Sequence, residues 1–302
     1  MDHQLLVFMK VVEKANFSHA AKELHMTQPA VSQSIQILEK KYDTQLLERN
    51  NKRVALTKAG EIVYYHGKEI VSLYNRMNEL IYELLEKAEG QIAVGASYTF
   101  GEYVLPKILA SLKKKYPLIK PKITIDNTAE ICEMVANQQM DIGIVEGNVD
   151  RQKIIITETI AKDYMYIITG KNHPFTKKKE ITVKDLANEM WIVREDGSGT
   201  REATEKLFKM LNFRPGQLME CGSTQIIKEA VEAGLGISLL SRWAIKKEEQ
   251  LKSLCLLNVH GLPLERDFSI IIRNSKFQTK ATQLFIETLR NDHNHINNNA
   301  HT

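Results

Sequence analysis

Cysteine is scarce: Cys132, Cys221 and Cys255 are the only three in 302 residues, odd in number and widely separated. That pattern excludes a disulfide-stapled secreted scaffold and a zinc-binding spacing, and it predicts reduced thiols in a cytoplasmic chain. No apolar run approaches the ~18 residues of a membrane span, and Met1-Asp2-His3-Gln4 lacks the basic start and apolar stretch of a secretory leader. No membrane partner is therefore expected. Catalytic signatures are missing as well. There is no Walker motif, no triad in a telling context and no Gly-x-Gly-x-x-Gly, because Gly197-Ser198-Gly199 is followed by Thr-Arg-Glu. The chain is thus expected to be no enzyme and to carry no cofactor or metal.

Charge of one sign is also lacking overall, since the net charge is only +4. Its distribution says more. Up to Gly60 there are nine basic residues against six acidic ones, so this first fifth holds +3 of the total. A mildly basic module followed by a neutral remainder suits a surface that meets phosphates. A hydrophobic content of 43% with 26% charged residues supports a buried core, and the length allows about two or three domains.

Three regions separate by pattern. Short helical stretches punctuated by polar turns occupy 1–58 and end in two strand-like pieces. One unbroken helical pattern without proline fills 59–88. From 89 to 302, strands alternate with helices, the mark of α/β architecture with parallel sheets. On the middle helix Val63, Ile70, Met77 and Leu84 take one core position of a heptad, and Leu73 and Leu80 take the other. About thirty residues span roughly 45 Å, too long for one small domain to hide, so the stripe asks for a partner helix rather than a core of its own domain.

Within the first region, Leu5, Phe8 and Val12 give a first helix an apolar stripe. Ser18 is expected to cap a second, with Ala20, Ala21 and Leu24 as its packing face. His25-Met26 makes a turn, Thr27 caps a third helix, and Pro29 sits acceptably in its first turn. In that helix Val31, Ile35, Leu38 and Tyr42 share one arc and are expected to face inward; Pro29, Ser32, Gln33, Gln36 and Lys40 lie opposite. An exposed face of Gln, Ser and Lys offers the amides and hydroxyls that base edges in a major groove require. Gln45–Arg49 and Arg53–Leu56 are expected to pair as a hairpin, a wing with Arg49, Lys52 and Arg53 beside phosphates.

The run Ala20-Ala21-Lys22-Glu23-Leu24-His25-Met26-Thr27-Gln28-Pro29-Ala30-Val31-Ser32-Gln33-Ser34-Ile35-Gln36-Ile37-Leu38-Glu39, with Leu46-Leu47-Glu48-Arg49 and Leu56-Thr57-Lys58-Ala59-Gly60, resembles the signature of LysR-type transcriptional regulators. The resemblance covers essentially 1–290. It departs where the family's usual Leu-Gly is Tyr42-Asp43 and its Phe before the wing is Leu47; Asp tolerates a left-handed turn, so the fold is not threatened. It implies an α/β fold class overall: an N-terminal all-α winged helix-turn-helix, a long linker helix, then a two-lobed α/β effector domain similar to periplasmic solute-binding proteins. It also implies that Gln28, Pro29, Ser32 and Gln33 meet DNA; Thr27 at the helix start and Gln36 on the same outward face are expected beside them.

Residues read alone agree with the two lobes. Strands fall at 91–96, 122–126 and 140–145, and Tyr164–Thr169 opens a second lobe. Lobe I is expected at 91–162 and 267–290, lobe II at 163–266, and a disordered tail at 291–302. A metal role for the tail's His293, His295 and His301 lacks a carboxylate or thiol cluster to complete it. Ser or Thr recurs at strand-to-helix junctions: Ser97 and Thr99 around Tyr98, Thr128, Ser198 and Thr200, Ser223 and Thr224. Each is an ordinary helix cap or part of an anion site, and the resemblance implies that they converge. Arg201 fits a carboxylate, phosphate or sulfate as well as a surface salt bridge.

The expected function is a sequence-specific transcriptional regulator, an activator, bound to double-stranded DNA at an interrupted palindrome and responsive to a small anionic effector. Self-association as a dimer follows from the heptad; a tetramer (a dimer of dimers) and contact with RNA polymerase come from the resemblance. The segment around Thr200 resembles regulators of sulfur assimilation and carbon fixation, which points to sulfur-metabolism genes. Two alternatives stand beside this: a ligand-independent architectural DNA protein, and a thiol-based redox sensor using Cys221.

Overall fold

The computed structural model describes residues 2–50, 53–83, 90–147, 149, 156–273 and 278–292. They fall into two compact units, Met1–Leu84 and Leu85–Thr302.

The first unit runs α1 (His3–Lys14), α2 (Phe17–Glu23), α3 (Gln28–Tyr42), β1 (Leu47–Asn50), β2 (Arg53–Leu56) and α4 (Lys58–Glu83). Asn16, not Ser18, caps α2: its extended backbone presents Oδ1 to the His19 N–H at 3.0 Å, which leaves Ser18 inside the first turn. The turn before α3 bends through His25 at φ 53°, and Thr27 Oγ1 accepts from the Ala30 N–H, as its cap position demands. Asp43 ends α3 in the left-handed conformation, φ 51°. Val7, Phe8 and Val11 of α1 meet Ala20, Ala21, Val31, Ile35 and Leu38 in one core. The two alanines let the helices approach closely. Tyr42, expected inward, is 48% exposed; it shares the inward arc but is the last residue of the helix, past the last layer of core side chains.

The strands β1 and β2 pair antiparallel from Leu47↔Leu56 to Asn50↔Arg53. Gly60 then brings the start of α4 against the Leu46 carbonyl so closely that a Cβ would collide with it. Along α4, Val63 and Val71 are half-buried on the core, whereas Ile70, Leu73 and Met77 are exposed. The Leu80 side chain, Leu84, Lys52, the Arg49 and Arg53 side chains, and tail residues His293, His295 and His301 lie outside the described residues.

In the second unit come β3 (Gly90–Ser97), α5 (Tyr98–Tyr103), α6 (Leu105–Lys115), β4 (Ile119–Asp126), α7 (Thr128–Ala136), β5 (Ile142–Glu146) and β6 (Ile156–Gly170). A 3-10 turn at Pro174–Lys177 is followed by α8 (Val183–Asn188), β7 (Met190–Arg194), α9 (Gly199–Met210), β8 (Gln217–Cys221), α10 (Thr224–Glu232), β9 (Ser238–Ser241), α11 (Arg242–Leu251), β10 (Leu254–Leu256), β11 (Leu264–Ile272) and α12 (Lys280–Asn291). One sheet has the order β10-β6-β11-β5-β3-β4, with β9 also on β6. β3 is parallel to β4 and β5, the helix-covered arrangement that makes a strand apolar on both faces. The strand β6 is 15 residues long. Its residues 156–165 pair with β11, and 165–170 reach β9 and β10. It therefore runs straight through the boundary expected at residue 163, and the lobes share a continuous strand there.

Lobe I buries Ile92, Val94, Phe100, Leu105, Phe268 and Phe285 around that sheet. Lobe II gathers Leu207, Phe208 and Leu239 around Trp191, whose Nε1–H donates to the Leu186 carbonyl at 2.8 Å, as a buried indole requires.

Candidate nucleic-acid interface and effector cleft

The outward side of α3 carries Gln28, Pro29, Gln33, Gln36 and Lys40, all exposed, with Ser32 half-buried. Gln28 Nε2 donates to Ser32 Oγ at 3.0 Å, so two of the expected base readers hold one another in register at i, i+4 spacing. On the opposite side, Glu39 does work the sequence did not announce. It is buried, and its Oε1 accepts from the Leu46 N–H at 2.8 Å and the Leu47 N–H at 3.3 Å. That carboxylate ties the third helix to the first residues of the wing.

In the second unit the hydroxyls expected at strand-to-helix junctions do gather between the lobes, and they are shut in. Ser97, Thr99, Thr128, Ser198, Thr200 and Thr224 are all buried. Two of them, Thr99 and Thr200, meet at Arg266 on β11. Its Nε donates to Asp163 Oδ2 at 2.7 Å, one Nη to Thr200 Oγ1 at 3.1 Å, and the other to Thr99 Oγ1 at 3.2 Å. Glu146 Oε1 lies 3.6 Å away, and its other oxygen accepts from Ser97 Oγ. Thr128 Oγ1 donates to the Glu146 carbonyl at 2.8 Å, and Ser241 Oγ to Asp163 Oδ1 at 2.6 Å. One guanidinium thus faces two buried carboxylates. Burial pushes the Asp163 carboxyl above its usual range, more than the Arg266 charge and the Ser241 bond pull it down.

A second cluster lies at the end of β7. The Arg194 guanidinium stacks on the Tyr98 ring, 4.4 Å from its centroid. It donates to Thr224 Oγ1 at 3.3 Å and grips Glu195 through Nε and Nη2 at 2.7 and 2.6 Å. Backbones close the seam: the Ala129 N–H donates to the Gly197 carbonyl at 3.1 Å, and Gly199 is pressed on the Glu146 carbonyl, where a Cβ would collide.

Two expected residues stand apart. Ser223 caps α10 through the Ile226 N–H. Arg201 spreads its guanidinium over Glu205, Glu220 and the Arg194 carbonyl, each at 3.0 Å; of its two readings, the structure places it in salt bridges on lobe II. A groove of about 680 Å³ borders Gly147, Lys162, Gly199, Glu202, Lys206 and Arg266; it reaches the central arginine, although none of the gathered hydroxyls lines it.

Sequence reasoning passed over Arg266, Asp163, Glu146, Arg194 and Glu195. A signal existed for Arg266: Leu264, Phe268 and Ile270 are buried on its phase of β11, so a charge at that alternate position must find a partner inside.

Two family descriptions match the chain, "Bacterial regulatory helix-turn-helix protein, lysR family" over residues 3–61 and "LysR substrate binding domain" over residues 86–294. The chain belongs to the LysR family. It is a DNA-binding transcriptional regulator with an effector-binding domain. The Bacillus subtilis HTH-type transcriptional regulator CysL is 37% identical over 289 residues, spanning 96% of each chain. The Synechocystis CcmR regulatory domain, solved in complex with 2-PG, is 27% identical with a TM-score of 0.62, covering 67% of this chain and 97% of that one. Full-length CbnR, solved with its target DNA, has the same fold at a TM-score of 0.73 and 22% identity, over 96% of this chain and 99% of its own.

Proposed function

We propose that this LysR-type regulator reads an interrupted palindrome in double-stranded DNA with Thr27, Gln28, Pro29, Ser32, Gln33 and Gln36, steadies itself on phosphates with Arg49, Lys52 and Arg53, and answers to a small anion bound between its lobes. One observation carries the effector reading: hydroxyls from both lobes converge on buried guanidinium groups at a single seam. Such donors favour a carboxylate, sulfate or phosphate. The Synechocystis CcmR regulatory domain in complex with 2-PG supports a ligand held by a domain of this kind. Ser97, Tyr98, Thr99, Thr128, Ser198, Thr200 and Thr224 are the proposed contacts, with Arg201 and Ser223 at its margin.

The seam is closed, so the effector enters as the lobes part, and its differential affinity for the two lobe arrangements is what shifts the DNA-bound state. Residues 1–58 serve DNA, 59–88 dimerisation and 89–302 sensing. The exposed Ile70, Leu73 and Met77 support pairing of α4 with a second copy, and two such dimers make the proposed tetramer. Transcriptional activation through RNA polymerase, a cytoplasmic site of action and the absence of turnover complete the reading. The proposed regulon is sulfur metabolism, on the strength of the Thr200 segment and of CysL at 37% identity.

Thermal-shift measurements with sulfur-containing and carboxylate metabolites test it, paired with assays for their conversion. The expected result is an anion that stabilises the protein and is recovered unchanged; stabilisation by neutral compounds alone, or conversion of the ligand, would sink it. For the DNA face, Gln28→Ala should weaken specific binding by roughly tenfold or more. Equal losses on specific and random duplexes would remove the base-reading role.

A further inference from the structure

We propose that Glu195 is a built-in stand-in for the effector's anionic group, held on Arg194 until a free oxyanion displaces it. The inference rests on the anionic-effector reading above and adds the residue that recognises the anion and the device that guards it.

Arg194 is 1% exposed, yet its counter-ion is its own neighbour in the chain. Successive residues of a strand point to opposite faces, so this grip forms only because β7 ends at Arg194 and Glu195 is the first residue beyond it. Glu195 is therefore free to swing without unpairing any strand. The guanidinium would stay where it is, since Tyr98 holds its plane and Thr224 its far end, both independently of Glu195. A fixed, stacked guanidinium presenting Nε and Nη2 in parallel is a template for two oxygens of one group: a carboxylate, a sulfate or a phosphate ester.

The Glu195 side chain is 23% exposed against 2% for that of Arg194, so the acid lies on the solvent side of the base and covers it. Burial raises the Glu195 carboxyl, but the Arg194 bonds and charge, with help from Asn127, outweigh that and keep it ionised. Asn127 caps α7 in lobe I. Tyr98 of lobe I stacks on Arg194 of lobe II, so exchanging the group held by Arg194 acts where the lobes meet, which couples anion capture to their fit.

The exchange is read by calorimetric titration of the full chain with inorganic phosphate and inorganic sulfate, at ionic strength held constant with chloride. Glu195→Gln should raise affinity for both by about tenfold, the equivalent of one charge-assisted bond. Glu195→Asp should also raise it, because the shorter acid keeps its charge but loses its reach. Adding Arg194→Lys to Glu195→Gln should abolish the gain. Glu220→Gln, which removes a carboxylate from Arg201 instead, should change nothing. Wild-type binding left unaltered by both Glu195 variants would overturn the exchange and leave the anionic effector standing. An equal gain from Glu220→Gln would transfer recognition to Arg201 or to general electrostatics. Silence of wild type and Glu195→Gln alike, with stabilisation by a neutral compound, would bring down the effector reading itself.

Discussion

Replacing Arg266 by alanine isolates what the central guanidinium does. It removes three hydrogen bonds, to Asp163, Thr200 and Thr99. The greater consequence is that Asp163 at 0% and Glu146 at 2% exposure are left with no cation between them. Breaking a buried pair on one side costs about 3–5 kcal/mol, which for a unit of this size lowers the melting temperature by roughly 10 °C. Both tryptophans, Trp191 and Trp243, lie in the second unit, so fluorescence melts follow that unit without interference from the first. The sign of the pH dependence is set by Asp163, whose carboxyl is raised by burial. A raised acid contributes stability below its ordinary pKa and loses it as pH climbs. The defect of Arg266→Ala should therefore be largest at pH 7 and shrink toward pH 5, and Asp163→Asn should rescue much of it at neutral pH. A variant within about 1 kcal/mol of wild type at pH 7, or one indifferent to acid, would refute the buried-charge argument.

Glu39→Ala leaves the Leu46 and Leu47 N–H groups without their acceptor and should cost about 2–4 kcal/mol, while Glu39→Gln, which retains an oxygen, should cost about 1; equal losses in circular dichroism melts would discard the tie between α3 and the wing. Bonds from Lys178 and from Thr182 hold the Asp185 carboxyl down to about 2, against an ordinary 3.8. Its depressed pKa supplies stability above pH 3.8 that is lost as pH falls toward 2, so the urea midpoint of Asp185→Asn should fall less steeply than wild type across that window. Burial and the Glu220 charge raise the Cys221 thiol, so alkylation at pH 8 should run a few-fold slower than for a free thiol and quicken in Glu220→Gln; fast modification at neutral pH would revive the redox-sensor alternative.

Local chemistry was legible in the sequence. Thr27, Pro29 and Asp43 bracket α3 where capping rules place them, and the periodicity of Val31, Ile35 and Leu38 gave its buried side. Near misses came from competition between equal local signals. Asn16 and Ser18 are both good caps, and only the backbone angle at Asn16 decides between them. Longer-range features were harder to read. A strand that continues from one lobe into the other looks like two strands, because β6 changes partners midway and nothing in Ile156–Gly170 marks the switch. The clustered charges are illegible for a related reason: Asp163 and Arg266 are separated by 103 positions, and a pairing at that distance leaves no period or motif. Arg201 drew notice because it follows Thr200, and its pairing with Glu205 one helical turn away is the local signal that the chain offers for its salt-bridge reading.

Gly199 carries a mechanical corollary. The α9 backbone rests directly on the Glu146 carbonyl with no room for a methyl group, so side-chain volume at this one position acts as a shim. Alanine would wedge the halves apart, serine further, each by a few tenths of an ångström or more. Graded bulk there offers a dial for the resting aperture of the sensor, one that presses on Glu146 and so on the partner of Arg266 as well.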